Sequence, residues 1–271
     1  MLIKQKLSAL ARALLGLYLV GNVTYRSSQW LWEAVIGFNP IHVPLAASIL
    51  KSILDLLIMS ILFGDAFFKV LQGRRSRSHA VSLGALIAIG LITAMLLGTA
   101  CGQITWSASH MRGIQWVYLF GFSCYAAVAE ELICRFLVLD RLGEVVGKAA
   151  AFLLQILVFV YLHMFGPRLD AQTASHLAFG AILIGAFYLW SGSLLGAMAL
   201  HLTYDLLVIP LFGGTLDGLA IYPIVSGDNF SNSYSHRAAA TFMLAVSSWL
   251  LWKVWRRERT QIRHSCSPKT S

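Results

Sequence analysis

The stretch Ala126-Ala127-Val128-Ala129-Glu130-Glu131-Leu132-Ile133-Cys134-Arg135-Phe136-Leu137-Val138-Leu139 constrains this chain more than any other. It is apolar enough to lie in a bilayer, yet two carboxylates and a guanidinium sit near its middle. A charged side chain at the centre of a membrane helix costs about 2.5–3.5 kcal/mol on insertion scales. Three in one helix need partners, and the rest of the chain has to supply them.

The setting is membrane-like throughout. Hydrophobic residues make up 58% of the 271 and charged residues 12%, about half the charged share of a soluble domain. Apolar runs of about 20 residues recur, so the expected fold is all-α, a polytopic membrane helical bundle forming a single domain over 1–271. A barrel is disfavoured because its strands would alternate with period two. About eight spans are predicted, near 8–24, 43–63, 80–100, 116–139, 149–165, 175–190, 194–212 and 238–255. Trp30, Trp32, Trp106, Trp116, Trp190, Trp252 and Trp255 fall at span ends, as an interfacial belt would. The Gly/Ser/Asn-rich loop 213–236 reads as a connector more than as a mobile flap.

Basic residues set the expected orientation. With these spans, 15 of the 21 lysines and arginines share a side, including the tail set Lys253, Arg256, Arg257, Arg259, Arg263 and Lys269. That census makes both termini cytoplasmic. It also explains the net charge of +9 by topology, so the expected partner is the lipid bilayer and not nucleic acid. The four cysteines are scattered, with neither zinc spacing nor a disulfide framework. No cleavage site follows the apolar run 13–20, and the C-terminus is not a prenylation box.

Three pairs with four-residue spacing carry the chemistry. Glu131 and Arg135 share a helical face with the acid N-terminal to the base, the favourable order. Their pairing leaves Glu130, about 100° round the helix, as the carboxylate free to take a proton from water. Phe159 can pack beside His163 one turn on. Asp205, one turn from His201, can fix that imidazole's tautomer. Each pair alone also has a plain structural reading: interhelical ion pairs, a satisfied core histidine, a local hydrogen bond that Lys51 could answer. Together they hold nearly all the strongly ionisable groups deep in the spans, Lys51 and Asp55 aside. Their convergence would make a hydrolytic centre.

Glu130-Glu131-x-x-x-Arg135, Phe159-x-x-x-His163 and His201-x-x-x-Asp205, in order on separate helices, resemble the three-motif signature of the CAAX-protease and bacteriocin-processing (abortive-infection) family. That family includes the type II CAAX prenyl endopeptidase. The runs Ala178 to Gly185 and Ser191 to His201 are similar to the family's approach to its third motif. The resemblance covers about 117–212, the expected catalytic core. It implies an eight-helix bundle with an active site in a membrane-embedded cavity, cleaving a small peptide or a membrane-protein tail in a bacterial plasma membrane. It further implies that Glu130 activates water, His163 holds it, Glu131 and Arg135 brace the site, and His201 and Asp205 lie where the oxyanion forms. The commoner pattern has Asn at the last position. An ionised Asp205 cannot donate to an oxyanion, so it is protonated, orients His201, or binds a metal.

The cofactor stays open. His163 and His201 with carboxylates are zinc-type donors, yet no His-Glu-x-x-His helix is present, and a metal-free glutamate mechanism uses the same residues. Two rival functions also stand, a non-catalytic peptide-immunity or assembly protein and an ion-coupled transporter. The transporter would bring internal repeats and broken helices, which the sequence lacks. With the spans as drawn, Glu130 and His201 lie about 10–14 Å from their cytoplasmic helix ends and His163 about 20 Å from its own. Tilt or an earlier start of the fifth helix is needed to bring them level.

Overall fold

The computed structural model describes residues 2–23, 26, 43–73, 77–101, 105–106, 113–164, 171–212, 214–216, 219–221, 225–226 and 234–265. Helices dominate: α1 Leu2–Tyr18, α2 Val43–Phe63, α3 Asp65–Gln72, α4 Arg77–Ala100, α5 Gly113–Glu131, α6 Gly143–Val146, α7 Lys148–Leu162, α8 Ala171–Ser191, α9 Leu194–Phe212 and α10 Tyr234–Ser265. Two short antiparallel pairings accompany them, β1 (Thr105–Trp106) with β4 (Val225–Ser226) and β2 (Gly214–Leu216) with β3 (Leu219–Ile221). Three of these strands lie in the loop expected as a plain connector.

The centre of the bundle is the charged stretch itself. At Glu131 the α-helix widens into a π-helix over Leu132–Leu142, an unusually long run of a conformation that mostly occurs as single turns at functional sites. Every residue from Glu131 to Leu139 is buried. Helices α1, α5 and α7 pack closely on this segment, and α8 and α9 touch it. At Gly16 a Cβ would lie 2.8 Å from Leu137 Cδ2, so the missing side chain lets α1 approach it.

The outward surface is as informative as the core. On α2, Lys51, Asp55 and Met59 face inward while Ile53, Leu57 and Ile61 face out, Ile61 being 73% exposed. On α7, Ala151, Gln155 and Phe159 face inward while Leu153, Leu157 and Tyr161 face out, Leu157 being 67% exposed. Both helices thus carry polar groups inside and aliphatic groups outside, the arrangement favoured when the surroundings are hydrocarbon. By length and hydropathy alone, two helices among the described residues qualify as spans, Lys4–Val23 and Ala174–Ser191, with Lys148–Leu162 apolar but shorter.

Two turns set the registers of the site helices. Gly147, with φ +91°, joins α6 to α7 as an antiparallel hairpin. Glu130 precedes it by seventeen residues and His163 follows by sixteen, so the two come level. This removes the depth mismatch, because the helix bearing Glu130 runs well beyond Leu139. Before α9, Gly192 has φ +67°. Ser193 then caps the helix, its Oγ accepting from Gly196 N at 3.1 Å and donating to Gln72 O at 3.3 Å. Gly73, with φ +75°, is where α3 meets this turn, and a Cβ there would lie 2.4 Å from Ser193 Cβ. These contacts fix where α9 starts, and hence where His201 points.

Candidate active site

All seven predicted site residues meet in one region. Arg135 Nε lies 3.0 Å from Glu131 Oε2, with both side chains wholly buried. The other Glu131 oxygen, Oε1, accepts from His201 Nδ1 at 2.9 Å. That bond puts the proton of a neutral His201 on Nδ1 and turns the Nε2 lone pair inward. His163 is anchored similarly: its Nδ1 donates to Phe159 O at 2.9 Å. It sits at the C-cap of α7 rather than within the helix.

Both free imidazole nitrogens face Glu130. His163 Nε2 is 3.7 Å from Glu130 Oε1, and His201 Nε2 is 3.8 Å from Glu130 Oε2. Asp205 Oδ2 is 3.7 Å from the same His201 nitrogen. These separations exceed direct hydrogen bonds. Glu130 Oε2 is buried and has no hydrogen-bond partner among the described residues. The Glu130 side chain as a whole is 17% exposed and that of His163 32%, so the centre is reachable.

Phe159 ties the parts together. Its ring lies 4.8 Å from the His163 ring and 5.8 Å from that of His201, centroid to centroid. Arg135 Cζ sits 5.3 Å above it, so the guanidinium has one carboxylate and one aromatic face to balance its charge. Beside the histidines is a cavity of about 60 Å³, room for a few waters at roughly 10–15 Å³ each. Polar His176, Tyr204 and Asp205 line it on one part and Ile87, Leu183 and Leu200 on another. Gly180 also lines it, and a Cβ there would meet nothing within 4 Å.

Three features escaped the sequence reading. Lys51 does not answer Asp205; it pairs with Asp55 on its own helix at 2.5 Å. His176 Nε2 meets Tyr204 Oη at the cavity wall. Gln155, wholly buried one turn before Phe159, donates to Ala181 O at 3.3 Å, the carbonyl that Arg135 Nη2 also approaches at 3.5 Å. An isolated amide in phase with Phe159 on an apolar helix was the available signal for Gln155. As for metal, among the described residues no group of three or more His, Cys, Asp or Glu side chains is arranged to hold an ion.

The helical bundle thus turns aliphatic side chains outward and gathers two glutamates and two histidines, the histidines lining a small cavity. Residues 111–207 match the family model described as type II CAAX prenyl endopeptidase Rce1-like. That segment is about a third of the chain and contains all three motifs, and the family it resembles is one of membrane-embedded peptide hydrolases. No curated protein and no solved structure matches the chain.

Proposed function

We propose that the chain is an intramembrane endopeptidase that hydrolyses a peptide bond in a small peptide or a membrane-anchored protein tail, using water activated by Glu130. The observation that carries this reading is the Glu130 carboxylate flanked at 3.7 and 3.8 Å by two imidazole nitrogens whose partner nitrogens are already tied off. A water in that gap would give one proton to Glu130 and the other in a hydrogen bond to His163 Nε2. Its oxygen attacks the peptide carbonyl, and Glu130 then returns the proton to the departing amine nitrogen. Asp205, in its protonated form beside His201, donates to the carbonyl oxygen. Glu131 and Arg135 hold His201 in register, with Phe159 packed between.

In this reading the catalytic core is 117–212 within one multi-pass membrane domain of about eight spans, with both termini cytoplasmic and a bacterial plasma membrane as its place. The similarity to type II CAAX prenyl endopeptidases points to prenylated Cys-a-a-X tails as one candidate substrate class. A zinc ion, if bound, would draw on His163 and His201 and would supply an acidified bound water. The chain's own residues provide the base and the proton path without it. The test is cleavage by purified Glu130→Gln and His163→Ala proteins. Each should lose about 10²–10⁴-fold in turnover while expressing and folding as the unaltered chain does. Full biological activity in both would sink the protease reading and favour the peptide-immunity one.

A further inference from the structure

Helix α10 runs Tyr234–Ser265, 32 residues or about 48 Å, against roughly 30 Å of hydrocarbon. Its inner stripe of Met243, Ser247 and Leu250 is buried, and the helix packs on α4 and α8. Its outer face past the middle is of a different kind. Trp249, Trp252 and Trp255 are exposed there, and each ring is covered by the cation four residues on. Lys253 Nζ lies 5.4 Å from the Trp249 centroid, Arg256 Cζ 4.8 Å from Trp252, and Arg259 Cζ 3.8 Å from Trp255. All three cations are exposed, and between 253 and 263 there are five basic residues and one acid.

We propose that this Trp-to-cation ladder is a binding surface for anionic phospholipid headgroups in the leaflet at that end of α10. Indole rings settle at the boundary of hydrocarbon and headgroup. The cations stand one turn further out, about 6 Å along the axis, at the level of the lipid phosphates. A guanidinium stacked on an indole is held in one orientation and leaves its edge N–H groups to donate to phosphate oxygens. A general excess of positive charge would need no such pairing. The repeated four-residue register gives three preformed clamps along one face.

The experiment uses the full chain in phosphatidylcholine vesicles containing spin-labelled phosphatidylglycerol or spin-labelled phosphatidylcholine, reading each lipid's association with the protein. The unaltered chain should prefer phosphatidylglycerol. R256Q/R259Q should lower that preference by at least about fivefold. W252L/W255L, which keeps every charge, should lower it about two- to fivefold. K4Q/K6Q removes two exposed cations from α1, assigned by charge to the same side, and should change it little. An unchanged amount of bound phosphatidylcholine reports that each variant keeps its fold. Equal loss in K4Q/K6Q and R256Q/R259Q, or no loss in W252L/W255L, would reduce the ladder to general surface charge and overturn the proposal.

Discussion

Glu131→Gln isolates the charge of the buried brace. The amide keeps an oxygen for His201 Nδ1 and nearly the same volume, so what is removed is the negative charge 3.0 Å from Arg135 Nε. Arg135 is wholly buried, its Nη1 has no hydrogen-bond partner among the described residues, and it approaches Ala181 O at 3.5 Å and the Phe159 ring. Stripping one partner from a buried ion pair costs about 3–5 kcal/mol, because the other charge is left uncompensated. On the scale for chains of 150–250 residues this is roughly 6–20 °C in melting temperature. Arg135→Met should cost a similar amount by orphaning Glu131. The double variant should cost several kcal/mol less than the two singles added together, since neither charge then remains. Thermal unfolding of the four purified proteins in one detergent measures the cycle. Additive single costs would refute the idea that these residues form one neutralised unit.

Other outcomes follow from the same geometry. Asp205→Asn restores the commoner residue and a neutral donor beside His201 and should keep turnover within about tenfold, whereas Asp205→Ala should lose more; steady-state cleavage separates them. Gly180→Ala should be near neutral because its Cβ enters open space, while Gly180→Phe should occupy the 60 Å³ cavity and raise KM more than it lowers kcat. Activity of purified protein should survive exhaustive chelation, with metal analysis of the same sample as the check. Loss on chelation with rescue by zinc would assign the water to a metal.

Much of the helical layout was legible because long apolar runs announce helices by their length. The predicted second span, 43–63, and seventh, 194–212, coincide with α2 and α9. The three four-residue pairs were legible because helical spacing alone puts their members on one face. What sequence could not give was conformation inside a helix. Nothing in Leu132–Leu142 announces i→i+5 bonding. Lys51 was available to answer Asp205, and only packing shows that it stays with Asp55. Tyr204 sits inside the His201–Asp205 motif, yet its meeting with His176 joins two helices and has no local sequence signal.

The central claim is that Glu130 activates water rather than attacking the substrate itself. Single-turnover cleavage of a membrane-anchored peptide in ¹⁸O-water tests it most directly, with mass analysis of both product and protein. The account predicts one solvent oxygen in the new carboxylate, none in Glu130, and no product from Glu130→Gln on the same timescale. Solvent oxygen appearing in the Glu130 side chain, or undiminished cleavage by Glu130→Gln, would contradict it.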